Sequence, residues 1–197
     1  TDGKKPSGEV TPMKKSLLTI GLAAVCVFAV GVSANHRPGD GGEAITVQQV
    51  EAFAYVYLPQ KGPFDKMQEA IGSLLQEMRA QNVIPGGPMI GVYINSPAQV
   101  KPEDLQWEIG FPVTSQALIQ PPLEKKEWNF TQVVASLHQG PYDKAGETIQ
   151  KMLEWMDANG YFPAGPLLER YMDMNPEELK PEELKTEIWI PCQKKTE

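Results

Sequence analysis

Two stretches, Gly62-Pro63-Phe64-Asp65-Lys66 and Gly140-Pro141-Tyr142-Asp143-Lys144, decide the fold, because they belong to one unit that the chain contains twice. A shift of 78 residues aligns the sequence with itself without a gap over 32 positions, and 13 of these are identical. One inserted residue later, 108–112 matches 187–191. A repeat of this length that occurs only twice predicts one globular domain with pseudo-two-fold symmetry rather than a solenoid.

Each copy shows the same order of patterns. A β-rich run (50–58 and 130–137) precedes the Gly-Pro turn, and apolar residues at helical spacing follow it. Two further apolar runs predict strands in each copy, at 89–94 and 106–111 and again at 167–172 and 186–190. The predicted fold class is therefore α+β, with duplicated strand–helix–strand–strand units, an antiparallel sheet and helices on one of its faces.

The N-terminal stretch is typical of a secretory signal peptide. Met13-Lys14-Lys15 is basic, residues 16–34 carry no charge, and Val32-Ser33-Ala34 is a small-residue cleavage pattern. We expect an extension of unexplained origin at 1–12, a signal peptide at 13–34, a linker at 35–46 and the main domain at 47–197, with repeats at about 47–113 and 128–192. Export to the periplasm or the cell exterior follows, and retention of the apolar segment as a membrane anchor stays the alternative.

The charge and the cysteine content limit which partners and cofactors the protein can have. Beyond residue 34 the chain has 14 basic and 23 acidic side chains, and this excess of negative charge argues against nucleic acid as a partner. Cys192 is the only cysteine of that part, so no intramolecular disulfide is expected. No histidine–cysteine cluster has metal-ligand spacing, so neither a metal nor another cofactor is predicted. The lone His138 is predicted to be a strand-end residue rather than a haem ligand.

Strand alternation sorts the side chains into two faces. Ile90, Val92 and Ile94 are uniformly apolar and are predicted to pack against the helix, as are the isoleucines of the last strand in each copy. The opposite face is the predicted ligand-binding face, and it carries Glu169, Tyr171, Tyr93, Trp189, Glu108, Glu187, Gly91 and Gly110.

Aromatic rings around a few carboxylates suit a hydrophobic or cationic organic ligand. The copies differ at Gly91 against Glu169 and at Gly110 against Trp189, so one half is expected to supply binding groups and the other half space. Two plainer interpretations stay open. Glutamates on an outer strand face are often merely solvated, and Arg170 can pair with Glu169 and make both residues structural.

The turn at 140–144, the strand Pro-Leu-Leu-Glu-Arg-Tyr at 166–171 and the closing Thr-Glu-Ile-Trp-Ile-Pro at 186–191 resemble the GyrI-like small-molecule-binding family. This is the effector-binding domain of AraC- and MerR-type multidrug regulators, and the resemblance covers about 47–191. It implies a ligand cleft at the pseudo-two-fold axis, in which a glutamate ringed by aromatics receives lipophilic cations. That glutamate corresponds to Glu169. Some proteins similar in fold are hydrolases that use a cleft glutamate as the acid/base group.

The leading hypothesis is an exported, stand-alone binding module for a small hydrophobic or cationic molecule. It would bind no nucleic acid, and it would contact a membrane only if the N-terminal segment is retained. The alternative is a hydrolase of a small hydrophobic compound, with Glu169 as acid/base. A third possibility is a protein-interaction module that uses the acidic loops at 97–105 and 175–183.

Overall fold

The computed structural model describes residues 44–196, so the predicted signal peptide and most of the linker lie outside the described residues. The strands are β1 (Thr46–Gln49), β2 (Phe53–Lys61), β3 (Met89–Tyr93), β4 (Gln106–Pro112), β5 (Glu124–Trp128), β6 (Gln132–Gln139), β7 (Tyr161–Pro163), β8 (Leu167–Tyr171) and β9 (Lys185–Lys194). The helices are α1 (Met67–Ala80) and α2 (Ala145–Ala158), and short 3-10 turns at Phe64–Lys66 and Tyr142–Lys144 precede them.

The Gly-Pro turns start both helices. Gly62 and Gly140 have φ angles of 104° and 138°, which glycine tolerates without a steric penalty. Each helix then buries one side, which consists of Ala70, Leu74 and Met78 in α1 and of Ala145, Met152 and Met156 in α2. The helical periodicity predicted from the sequence is therefore confirmed in both copies.

The sheet is antiparallel and has the order β1-β6-β9-β8-β3-β4-β2-β5, with β7 added beside β9. The α+β class is confirmed, and each half contains a strand, a helix and two further strands in the predicted order. The two units meet at the centre, where β3 pairs with β8 and Gly91 lies opposite Glu169. Since these two residues occupy equivalent positions of the repeat, the pseudo-two-fold axis passes between them. The strands β1, β5 and β7 were not predicted.

The sheet is strongly curved. Only residues 129–131 connect β5, at one end of the strand order, with β6 near the other end. Such a connection spans at most about 14 Å, whereas six strand intervals of a flat sheet would span about 29 Å. The second short connection, residues 50–52, is tied to the first by a bond from the Val50 amide to the Thr131 carbonyl. The open sheet therefore curls, and it has a concave and a convex face.

Both faces are buried. On the convex face, Val56 and Ile109 form a core with Leu74 of α1, and Ile188 and Ile190 form another with α2. The concave face holds a third core, which consists of Tyr55, Tyr57, Ile90, Val92, Trp128, Val133, Ala135, Leu168 and Trp189.

The predicted faces of β3 and β8 are wrong. Gly91 pairs with Ile109, which faces α1, whereas Ile90 and Val92 belong to the concave core. The uniformly apolar set of β3 therefore marks the interior of the curl and not the helical side. Because the sheet is buried on both sides, hydrophobic alternation shows that two faces exist but does not show which one the helices cover. The assignments in β4 and β9 are confirmed, with Ile109 and Ile188 toward the helices.

Within residues 44–196, no helix is long and apolar enough to cross a membrane, and no group of acidic, histidine and cysteine side chains is arranged to hold a metal ion. Cys192 is a free, buried thiol in β9.

A substitution of Gly110 would test the close approach of β2 to β4. A Cβ at this position would lie 2.2 Å from the Val56 carbonyl oxygen. Gly110→Ala is therefore expected to lower the free energy of unfolding by about 2 kcal/mol or more, measured by urea denaturation. Gly72→Ala is the control, because no atom lies within 4 Å of its Cβ, and it should raise stability by about 0.5–1 kcal/mol. A neutral Gly110→Ala would contradict the observed strand approach.

Candidate functional site at the centre of the sheet

The candidate site lies on β3 and β8, between the two helices. Helix α1 packs on β2 and β4, and α2 packs on β6 and β7, so the central strand pair lies between the two covered regions. Gly91 and Tyr93 of β3, and Glu169 and Tyr171 of β8, point from this pair toward the helical side, because they alternate with the concave-core residues. Four of the eight predicted ligand-binding residues thus come together here.

The Glu169 carboxylate forms a triangle with two phenols. The Tyr171 hydroxyl donates to Glu169 Oε2 at 2.8 Å, and the Tyr93 hydroxyl donates to the same oxygen at 3.1 Å. The two hydroxyl oxygens are also 2.9 Å apart. Although Glu169 is a charged residue type, only 8% of its surface is exposed.

Gly91 makes room for this triangle. A Cβ on Gly91 would lie 3.1 Å from the Tyr171 hydroxyl and 3.2 Å from the Tyr93 ring and hydroxyl. From the sequence, Gly91 was expected to supply space beside the groups that the second half contributes. In the described structure the tyrosine hydroxyls occupy that space.

Two further aromatic rings stand above the tyrosines, one from each helical turn. Phe64 meets Tyr93 and Tyr142 meets Tyr171, each with ring centroids 5.4 Å apart and with nearly perpendicular planes of 89° and 82°. Phe64 and Tyr142 are equivalent positions of the repeat, so the axis relates the two pairs. Neither was predicted to belong to the site, although the recurrence of an aromatic residue after both Gly-Pro turns was a usable signal.

Different side chains hold the two turns. In the first copy, the Trp107 indole donates to the Gly62 carbonyl oxygen at 3.0 Å. In the second copy Thr186 takes the place of Trp107, and His138 Nε2 contacts the Pro141 carbonyl oxygen at 3.1 Å instead. His138 Nδ1 bonds the Thr148 hydroxyl at 2.9 Å. His138 is therefore a buried residue at the end of β6, and it fixes the turn that carries Tyr142.

Burial dominates the electrostatics of the site. Loss of water raises the pKa of Glu169, while the hydroxyls of Tyr171 and Tyr93 and the nearby His138 act in the opposite direction. Burial and the adjacent carboxylate also raise the pKa of Tyr93 and Tyr171 well above that of free tyrosine, so both phenols keep their protons. No ion pair of Glu169 with a lysine or arginine occurs in the described part of the chain.

The other four predicted residues lie on the concave face and do not join the site. Glu108 accepts hydrogen bonds from Tyr55 and Lys126, and Glu187 pairs with Arg170. Arg170 therefore does not neutralise Glu169, because neighbouring residues of a strand point to opposite faces.

The two ion pairs of the concave face, Glu108 with Lys126 and Glu187 with Arg170, are called the concave pairs, and the cation of each pair lies over an aromatic ring. Arg170 lies 4.7 Å from the centre of the Trp189 ring, and Lys126 lies at the same distance from that of Tyr57. Gly110 was expected to open space beside this face, but the backbone of β2 fills it.

Two surface depressions lie near these concave pairs. One has a volume of about 310 Å³ and is lined by Glu187, and the other has a volume of about 290 Å³ and is lined by Glu108. Neither includes Glu169, which the phenols cover. The depressions therefore contain carboxylates that already have a cationic partner, whereas the carboxyl group of Glu169, which has no ion pair within the described residues, is largely closed off from solvent.

Comparison with known proteins identifies the family. The model of the GyrI-like small molecule binding domain matches residues 43–193. The chain belongs to this family. No curated protein matches the chain at a significant level. The family membership confirms the resemblance carried by the turn, strand and closing motifs.

Solved structures share the fold of this GyrI-like domain. The crystal structure of the EcmrR C-terminal domain has a TM-score of 0.66 at 19% identity, and the match covers 77% of this chain and 98% of that chain. The EcmrR chain in the cryo-EM structure of an EcmrR–DNA complex has a TM-score of 0.68 at 17% identity, and the match covers 78% of this chain but only 58% of that chain. A hydrolase encoded by lin2189 from Listeria innocua has a TM-score of 0.59 at 15% identity, with 77% and 93% coverage.

Thr186 offers a stability test beside the site. It pairs with Tyr171 in the sheet, it is fully buried, and its hydroxyl has no hydrogen-bond partner within the described residues. Thr186→Val should therefore raise the free energy of unfolding by about 1 kcal/mol. Thr148→Val, which removes the partner of His138, should lower it by a similar amount. Thermal denaturation of both variants checks this, and a destabilised Thr186→Val would show that its hydroxyl is satisfied.

Proposed function

We propose that this GyrI-like domain binds a small organic cation with a hydrophobic body between its helices, with Glu169 as the counter-ion. The observation that carries the proposal is a buried carboxyl group that has no cationic partner among residues 44–196. Glu169 and Glu108 are the buried glutamates of the described residues, and Glu108 has Lys126 as its partner. A buried charge is normally paired, so a ligand cation would supply the missing partner of Glu169.

The surrounding rings fit the same kind of ligand. Tyr93 and Tyr171 lie beside the carboxylate, and Phe64 and Tyr142 stand above them. Aromatic faces attract organic cations by about 0.5–2 kcal/mol each, depending on desolvation. Tyr142 is 39% exposed, so the outer part of this aromatic group is accessible from solvent. The negative net charge of −7 also favours the approach of cations.

Removal of the Glu169 charge tests this role. The probe is naphthylmethyl-trimethylammonium, a permanent cation with a hydrophobic ring. Glu169→Gln keeps the shape of the side chain and removes its charge, so the affinity measured by calorimetry should fall at least about tenfold. Glu187→Gln is the matched control, because its carboxylate pairs with Arg170 on the concave face, and it should leave the affinity unchanged. A loss only in Glu187→Gln would move the site to the concave face, and equal losses in both variants would show that Glu169 is not the specific counter-ion.

The proposal includes export of the domain, which rests on the basic Met13-Lys14-Lys15 segment and the uncharged stretch that follows it. Mass spectrometry of the protein purified from its native cell should find Asn35 as the N-terminal residue. An intact apolar segment in a membrane fraction would support the anchored form instead.

The alternative function is a hydrolase, and the raised pKa of Glu169 favours it, because a general acid must hold its proton near neutral pH. Binding and turnover are separable. A hydrolase would convert a small hydrophobic ester or strained ring compound over many cycles, and Glu169→Gln would abolish the conversion. A binding module would retain such compounds unchanged, as mass spectrometry of the bound fraction would show.

A further inference from the structure

We propose that Glu169 is protonated in the ligand-free protein and releases this proton when an organic cation binds, so that the site exchanges one proton for one cation. The inference rests on the proposed function for its second half, whereas the protonated state of the empty site stands on the geometry alone.

The number of hydrogen atoms in the Glu169–Tyr93–Tyr171 triangle indicates that Glu169 is protonated. Glu169 Oε2 and the hydroxyls of Tyr93 and Tyr171 make three mutual contacts of 2.8–3.1 Å. Each contact needs one hydrogen atom to be a hydrogen bond. With Glu169 ionised, the two phenols supply only two hydrogens, so two oxygens would face each other at hydrogen-bond distance through their lone pairs. A protonated Glu169 supplies the third hydrogen: the carboxyl group then donates to one phenol, that phenol donates to the other, and the second phenol donates back to Oε2, so all three contacts become hydrogen bonds.

Burial favours the neutral form of Glu169 and is the largest effect on its pKa, whereas the hydrogen bonds from Tyr93 and Tyr171 and the charge effect of His138 act in the opposite direction. Strand β3 contributes Gly91 and Tyr93, and β9 contributes Ile188 at the paired position. Beyond β9, β6 contributes His138, whose ring nitrogens contact the Thr148 hydroxyl and the Pro141 carbonyl.

The helical turns contribute Phe64 and Tyr142, and Asp173 acts on Tyr142 from the rim. No lysine or arginine within residues 44–196 forms an ion pair with Glu169. A buried carboxyl group in such surroundings keeps its proton because ionisation would leave an uncompensated charge, and burial accordingly raises its pKa.

The exchange conserves charge within the site. The ligand cation enters, the carboxyl O–H bond breaks, the proton passes to solvent, and a carboxylate–cation pair remains. Below the pKa of Glu169 in the empty site, the proton competes with the cation, so affinity for a permanent cation should rise about tenfold per pH unit. Above that pKa, affinity should become independent of pH.

Calorimetry with naphthylmethyl-trimethylammonium measures both effects. Titrations over mildly acidic to mildly alkaline pH give the affinity, and titrations in two buffers with different heats of ionisation give the number of protons released. We expect about one proton per cation below the pKa. The neutral isostere neopentylnaphthalene, measured by equilibrium dialysis, should show no rise in affinity with pH.

Three variants separate Glu169 from other titrating groups. Glu169→Gln should abolish proton release. His138→Gln, which introduces the residue found at the equivalent Gln60, should still release about one proton. Tyr171→Phe removes a hydrogen bond that lowers the pKa of Glu169, so it should move the pH dependence to higher pH. A purely structural role of Tyr171 would change stability and leave that midpoint unmoved.

Infrared spectroscopy tests the empty site without any ligand. The difference spectrum between the native protein and Glu169→Gln at neutral pH should contain the carbonyl band of a neutral carboxylic acid, and its absence would overturn the protonated state. Cation binding without proton release would overturn the exchange and leave the proposed function standing. A neutral-acid band without cation binding at any pH would overturn the proposed function and the exchange, while the protonated site would remain.

Discussion

The pairing of β3 with β8 at the centre of the sheet is the constraint on which the remaining structure depends. It joins the two copies of the repeat and fixes their register, so that Gly91 lies opposite Glu169. The same register directs Tyr93 and Tyr171 to one face, where their hydroxyls reach one carboxylate oxygen. A slip of one residue in β8 would turn Glu169 and Tyr171 to the other face, away from Tyr93, and disperse the site.

The curvature of the sheet explains why the glutamates of its concave face have cationic partners whereas Glu169 on the convex face has none within the described residues. Short connections at 50–52 and 129–131 bring the ends of the sheet together, and the concave face becomes an interior. Glutamates there face Lys126 or Arg170 and form pairs whose cations lie on aromatic rings. On the convex face, Glu169 accepts hydrogen bonds from two phenols and forms no ion pair with a lysine or arginine of the described residues. The protein therefore satisfies its concave charges internally, and its central carboxyl group remains for a ligand or a proton.

Three differences between the copies lie on the helical side, around Glu169. Glu169 replaces Gly91, Thr186 replaces Trp107, and the ring of His138 takes over the contact with the turn. The four aromatic rings of the site therefore follow the pseudosymmetry, as Phe64 and Tyr93 in one copy and Tyr142 and Tyr171 in the other. Glu169 breaks the symmetry, because its equivalent is Gly91. In the proposed function, such a site would offer one polar end to a ligand and favour one orientation of an asymmetric molecule.

The sequence by itself determined the repeat, the helices and most of the strands, because matching residues at a fixed shift report local structure directly, and it singled out Glu169 as a candidate binding residue. It also determined that Tyr93 and Tyr171 share a face with Glu169, since alternation has a period of two. Tertiary structure alone decided which face the helices cover, because a sheet buried on both sides offers two apolar sets. It also decided that Glu108 and Glu187 have cationic partners, since Lys126 and Arg170 reach them only across paired strands. Phe64 and Tyr142 joined the site for the same reason: the distance from a helical turn to the sheet centre depends on packing, which no pattern along the chain records.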